Sequence, residues 1–337
     1  MVTFNLTIQL EYTLSGRSDF VFNFHPANTR QQRVSDEYLR ITPATPPHIY
    51  WMDTEPESGN RIFRVCSTAD SLTVSYEAVV DVQHHFEPSR QIGEMPVRNL
   101  SPAALRYVYP SRYCQSDALP RDVVAQFAGL PSGYSRVLAI CDWVRSEVRF
   151  QPASTNSSTS ALDTLRDRVG VCRDFAHLMI ALCRAVNVPA RFVTGIDYGA
   201  DPALGPTDFH AYVETFLDGR WYIFDPSGIA PVTGLLRMGT GRDASDVAFA
   251  TIFGSVLGGA PKIHIEASPE ALAPPAGHAV STSGERSVAA TRHTGEIAAV
   301  DGSPRGWLPE DLSAAAACQV LSYTGQLRPT VESAERR

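Results

Sequence analysis

Apolar residues occupy every second position at the start of the chain. Val2, Phe4, Leu6, Ile8, Leu10 and Tyr12 alternate with Thr3, Asn5, Thr7, Gln9 and Glu11. Successive side chains of a strand point to opposite faces, so this run predicts a strand with one buried face. Shorter runs of the same kind occur at residues 20–24, 61–66 and 72–82, where Leu72, Val74, Tyr76, Ala78 and Val80 share a face. Pro, Gly, Asn and Asp separate them. The simplest arrangement is an antiparallel β-sandwich over residues 1–95.

The period then changes. Residues 96–133 carry prolines at 96, 102, 110, 120 and 131 and read as a connector laid over the surface. From Tyr134, apolar residues return at spacings of three and four: Val137, Ile140, Cys141, Val144 and Val148 predict a helix. A polar stretch, QPASTNSSTS, and a short helical turn near Ala161–Arg166 follow. Behind Cys172 the helical stripe is clearer still: Phe175, Leu178, Met179, Leu182, Cys183 and Val186, ended by Pro189. Strands are expected at 191–196, 209–216 and 221–224, which makes residues 134–267 an α+β core. Residues 268–300 are rich in Ala, Ser, Thr, Pro and Gly, so residues 268–337 read as a flexible C-terminal extension. A short helix is expected within it at Leu312–Leu321. A chain ending near Ala267 is expected to fold.

Composition narrows the function. With 44% hydrophobic and 19% charged residues the 337-residue chain is ordinary globular material. A net charge of -7 and the lack of any Lys/Arg run argue against nucleic-acid or anionic-membrane partners. No apolar stretch approaches membrane-spanning length. The N-terminus lacks a basic segment, an apolar core and a cleavage site, so a cytoplasmic protein is expected. The six cysteines (Cys66, Cys114, Cys141, Cys172, Cys183 and Cys318) show no paired spacing and are expected as free thiols, most of them buried.

Cys172 stands apart from the other five. It precedes the apolar stripe, at the mouth of a helix where unpaired N–H groups and the dipole favour a thiolate, and Arg173 adds positive charge beside it. A thiol nucleophile needs a base, and the base needs an acceptor to orient it. The segment DFHAYVETFLDGRWYIFDPSG offers both in one hairpin. With Asp218-Gly219 as a two-residue turn, Leu217 faces Arg220 and Tyr212 faces Asp225. His210 then lies on the same face as Tyr212, diagonal to Asp225, at a Cα separation of roughly 7–8 Å. A one-residue slip would put the two on opposite faces.

With Cys172, His210 and Asp225 in that order, the chain resembles bacterial transglutaminase-like proteins of the papain-like thiol superfamily. The resemblance rests on GVCRDFAHLMIALCRAVNVPARFVTG, DFHAYVETFLDGRWYIFDPSG and YVYPSRYCQSD, and spans about residues 1–265. It implies a papain-like core behind the β-sandwich, with Cys172 as nucleophile, His210 as base and Asp225 as orienting acid. It also implies a peptide or amide substrate attacked through a thioester, with no metal and no organic cofactor. Hydrolysis by a peptidase or amidase is favoured over acyl transfer to an amine, because bacterial relatives of this type are usually regarded as proteases. A non-catalytic peptide-binding module is the alternative from another class. His177 is expected to bond locally to Asp174, three residues away. Asp174 is expected to serve as a first-turn carboxylate, Tyr113 to pack, and Trp143 and Trp221 to lie in the core. Oligomeric state is left open.

Overall fold

In the computed structural model the described residues are 1–43, 49–55, 58–268 and 274–282, with backbone alone at 49–52. The helix expected at Leu312–Leu321 and Cys318 lie outside them.

The opening alternation forms β1 (Val2–Leu14), whose buried positions are the apolar ones from Phe4 onward. Five further strands of the amino-terminal layers follow: β2 (Ser18–Phe22), β3 (Gln32–Thr42), β4 (Ile49–Thr54), β5 (Arg61–Ser67) and β6 (Ser71–Val82). β1, β6 and β3 pair antiparallel in one sheet, and β2, β5 and β4 in another. Phe4, Ile8, Leu72, Val74 and Tyr76 of the first meet Phe20, Phe22 and Phe63 of the second in one apolar cluster. Phe22 stacks on Phe20 and Phe63 at 5.5 and 6.1 Å. The expected sandwich is present.

The connector folds back as α1 (Pro102–Leu105) and α2 (Arg121–Ala128), followed by α3 (Tyr134–Glu147). Two short strands, β8 (Arg149–Phe150) and β9 (Val169–Gly170), pair in parallel on either side of α4 (Ala161–Asp167). Then comes α5 (Cys172–Ala185), buried on all sides from Asp174 to Arg184 rather than along one stripe. It can be polar in places because Arg184 is fully partnered: its guanidinium donates to the carbonyls of Tyr109, Ala190 and Arg242 and to Ser111 Oγ. A helix buried all round belongs at the centre of a domain. It packs on β10 (Ala190–Ile196) and β11 (Phe209–Leu217), which continue into β12 (Arg220–Phe224) and are flanked by β13 (Gly239–Gly241).

The chain after β13 departs from expectation. Past α6 (Ala244–Val247), it leaves the core as β14 (Ala250–Phe253), β15 (Val256–Gly258) and β16 (Lys262–Ser268). β14 pairs with β2, while β15 and β16 share the open edge of β1. Residues 250–267 therefore complete the sandwich rather than the core to which 134–267 was assigned. The reason is backbone satisfaction: β1 is 13 residues long, and without these partners one edge would be left with unpaired N–H and C=O groups. Ile263, Ile265 and Ala267 also pack on the sandwich cluster.

Two more segments cross the expected boundaries. β7 (His85–Pro88), within the span assigned to the sandwich, joins the core sheet through β17 (His278–Ser281). β17 lies in the segment expected to be a flexible extension. Yet Ala279, Val280 and Ser281 are buried, Tyr222 pairs with Ser281, and Thr282 Oγ1 donates to Glu214. An apolar pair in a small-residue stretch gives no periodic signal, and its pairing is long-range.

Truncation tests this arrangement. A chain ending at Thr282 keeps β17 and is expected to melt at a higher temperature than one ending at Ala267. One ending at Ala267 loses the strand and its buried Val280, on the order of 2–4 kcal/mol. Calorimetry showing equal melting temperatures for the two would refute a structural role for β17.

Candidate active site

Three local structures converge here. The first is the start of α5. Asp174 is fully buried, and its Oδ2 accepts from the Val171 N–H at 2.9 Å and from Thr155 Oγ1 at 2.7 Å. Arg173 donates to Asp174 Oδ1 at 2.9 Å and to the Asn156 carbonyl at 2.9 Å. The polar loop is thus tied to the two residues behind Cys172. Gly170 leaves room for this: a Cβ there would stand 2.7 Å from Asp174 Cβ. Cys172 is the first helical residue and half-buried, whereas Cys183 of the same helix is wholly buried.

The second is the β11–β12 hairpin. Leu217 pairs with Arg220, and the ladder runs to Val213 opposite Phe224, the register the Asp-Gly turn implied. Asp218 and Gly219 both have positive φ, 44° and 82°, as a two-residue turn of this hand requires. His210 enters near the start of β11, opposite Gly195, and is 4% exposed. Its Nε2 lies 3.2 Å from Asp225 Oδ2. The Cys172 thiol lies close enough to the same ring to raise its pKa. With Nε2 facing Asp225, Nδ1 is the nitrogen left for the thiol. The ring edge rests on Tyr212 at 4.7 Å, and the Tyr212 hydroxyl donates to the Ile196 carbonyl at 3.0 Å.

The third is the loop after β12. Asp225 is 3% exposed, and four donors surround its carboxylate. Oδ1 accepts from the Ser227 N–H at 2.9 Å and Ser227 Oγ at 2.6 Å; Oδ2 accepts from the Ala230 N–H at 2.9 Å and faces His210. Ser227 Oγ also stands 3.5 Å from His210 Nε2.

Burial alone would force both groups neutral, but their partners outweigh it. Burial pulls the His210 pKa down, while hydrogen bonds to Asp225 and Cys172 and the charges on both carry it up to about 10. Burial pushes Asp225 up, yet the bond and charge of His210, with Ser227 and Ala230, hold its carboxyl below the ordinary value. The pair is an ion pair in the dry interior.

The other thiols are placed differently. Burial pushes Cys114 and Cys141 up to about 12 and raises Cys183 as well. Cys66 is raised by its hydrogen bond with Asp19. Cys172 is therefore the one described cysteine that is both accessible and beside an imidazole.

Several expectations change. His177 does not bond to Asp174: its Nε2 accepts from the Ala244 N–H at 3.1 Å and its ring stacks on Tyr113 at 4.9 Å. One helical turn separates His177 from Asp174, but the carboxylate is already committed to its own N-terminus. Tyr113 packs as expected, and its hydroxyl donates to the Ser157 carbonyl at 2.7 Å. Trp143 and Trp221 are half-buried rather than in the core. Ser227 joins the site without having been expected there by spacing or resemblance; its one sequence signal is the turn signature of a serine two residues behind an aspartate. Arg145, whose Nη2 donates to the Asp225 carbonyl at 2.6 Å, carried no sequence signal.

Known proteins share this architecture. Residues 121–226 match the transglutaminase-like superfamily, and residues 2–103 match the bacterial transglutaminase N-terminal domain. A solved structure from Cytophaga hutchinsonii, described as a candidate cysteine protease, superposes with a TM-score of 0.77 at 36% identity, covering 84% of this chain and 98% of that one. An uncharacterised Mycobacterium leprae protein is 29% identical over 187 residues, 52% of this chain and 66% of its own length. A Mycobacterium tuberculosis protein, also uncharacterised, is 26% identical over 246 residues, 66% of this chain and 77% of its own. The chain belongs to the transglutaminase-like superfamily and carries the bacterial N-terminal domain of that family.

The ion pair has a consequence for stability. The folded His210 keeps its proton to about pH 10, the unfolded one only to about 6.5. Its contribution is complete below pH 6.5 and is lost as the pH rises through 10. Asp225→Asn removes the anionic partner, so stability should fall less steeply over that window. Urea unfolding at several pH values checks this, and an unchanged slope would exclude the pair as its source.

Proposed function

We propose that this protein is a cysteine-dependent acyl hydrolase, a peptidase or amidase, using Cys172 as nucleophile, His210 as acid–base and Asp225 as the group that orients and charges the imidazole. The observation that carries this reading is the convergence of the half-buried Cys172 at the head of α5, the His210 ring whose pKa it raises, and a buried, fully hydrogen-bonded Asp225. A thiol needs a proton acceptor within reach and its thiolate a nearby cation; His210 supplies the first as imidazole and the second as the imidazolium that results.

The chemistry follows. Cys172 Sγ attacks the carbonyl carbon of a carboxamide, and a C–S bond forms as the carbonyl oxygen becomes an oxyanion. The Cys172 backbone N–H, free at the first position of α5, is one donor to it. Collapse breaks the C–N bond, and the His210 proton goes to the departing amine. His210 then takes a proton from water as the water attacks the thioester. Release of the carboxylic acid restores thiolate and imidazolium. Hydrolysis is preferred to amine transfer because the similar Cytophaga hutchinsonii protein is described as a candidate cysteine protease.

Digestion of a peptide library with and without an added alkylamine tests reaction and substrate together. Free carboxylates are expected as products; amine-capped products in their place would make the protein an acyltransferase. Cys172→Ser and His210→Ala should each lower turnover at least about a thousandfold with the fold intact. Full turnover by either would remove the assignment. Asp225→Asn should impair turnover less than loss of Cys172, because the amide still accepts a hydrogen bond but carries no charge. Iodoacetamide should alkylate Cys172 far faster than the other cysteines; uniformly slow labelling would favour a binding module.

A further inference from the structure

The carboxylate of Asp225 is held by donors from its own loop, and this leaves a positional question. Ser227, Gly228 and Ala230 all bond back to Asp225, with the Gly228 N–H reaching its carbonyl at 3.2 Å. Bonds internal to residues 225–230 give the loop its shape but move with it. They do not fix where the loop stands relative to β11 and His210.

Among the described residues, Arg145 is the donor that reaches this carbonyl from another element. It sits in the last turn of α3, and its Nη2 meets the Asp225 carbonyl at 2.6 Å. The loop is shaped to receive it. Gly228, at φ +69°, lies against the guanidinium: a Cβ there would stand 2.8 Å from Nε and 3.2 Å from Cζ. The nearest carboxylate, Asp142, is 4.0 Å away with both side chains about half exposed, a weak pairing. The charged bond to the buried-side carbonyl is the stronger of the two.

We propose that Arg145 is a positioning residue: by holding the Asp225 carbonyl against α3, it sets the distance and angle at which the Asp225 carboxylate meets His210 Nε2. The proposal rests on the reading of Cys172, His210 and Asp225 as the reacting groups. The Nε2–Oδ2 separation, 3.2 Å, is already at the long end for a hydrogen bond. A small drift of the loop breaks it, so an anchor outside the loop matters.

The experiment compares Arg145→Ala, Arg145→Lys and Gly228→Ala with the intact full-length protein, on a peptide substrate found by the library digest. Arg145→Ala should lower kcat roughly tenfold to a hundredfold with KM nearly unchanged. Arg145→Lys should fall between it and the wild type. Gly228→Ala, which keeps the arginine but displaces it, should lose kcat in the same way. Added guanidinium at millimolar concentration should restore part of the kcat of Arg145→Ala and nothing in Gly228→Ala, where the space is filled. Wild-type kcat in Arg145→Ala, or a loss that guanidinium leaves untouched, would overturn the proposal. A Cys172→Ser control keeps the two readings apart. Full activity in that control removes the reacting trio itself, whereas an inactive control beside an unimpaired Arg145→Ala removes only the role of Arg145.

Discussion

A carboxylate that stays ionised while almost entirely out of water must find a donor for nearly every lone pair, and Asp225 imposes that demand on its surroundings. Two N–H groups, a hydroxyl and an imidazole meet it. The requirement dictates a loop that turns back on itself within five residues and a hairpin whose register delivers His210 to the open side of Oδ2. It also settles which imidazole nitrogen is left for the thiol. Local folding and the candidate chemistry are here one constraint.

The same strand carries a second buried acid. His210, Tyr212 and Glu214 are spaced by two along β11 and so share a face. Glu214 is fully buried, and burial would raise its carboxyl, but Arg191 and Arg237 hold it low. Arg191 also lies over the Trp221 ring at 3.9 Å. The backbone of Arg237 bonds to Gln32 of the sandwich, the N–H donating to Oε1 and the carbonyl accepting from Nε2. One strand thus joins the candidate site, through a charged interior, to the amino-terminal layers. The sandwich is a wall against which the core sheet is braced.

What the sequence revealed follows from the range over which each signal acts. The alternation of β1 and the stripe of α5 are local, and the Asp218-Gly219 turn pinned a register that aligned His210 with Asp225 through spacing alone. The position of Cys172 ahead of its helix was legible for the same reason. Pairings between distant segments were not. Nothing in Ile263 and Ile265 says that their partner is β1 rather than the core, and Val280 sits among residues that look like linker. The all-round burial of α5 was hidden too, because Arg184 resembles a solvated helix residue until the carbonyls of Tyr109 and Arg242 arrive from elsewhere.

The pairing of β1 with β16 bears on how the protein comes into being. Thr3 lies opposite Ser268, so one flank of β1 is closed by a strand that follows the whole core in the chain. During synthesis the amino-terminal layers emerge first yet stay unfinished while the entire core is translated. An open, strongly alternating strand is a template for unwanted partners, and contacts so distant in the chain form slowly. The core is in effect an insertion within the sandwich. A nascent chain must therefore shield the flank of β1 until the ribosome has passed β16, and a chain stopped short of that point carries an exposed edge that favours aggregation.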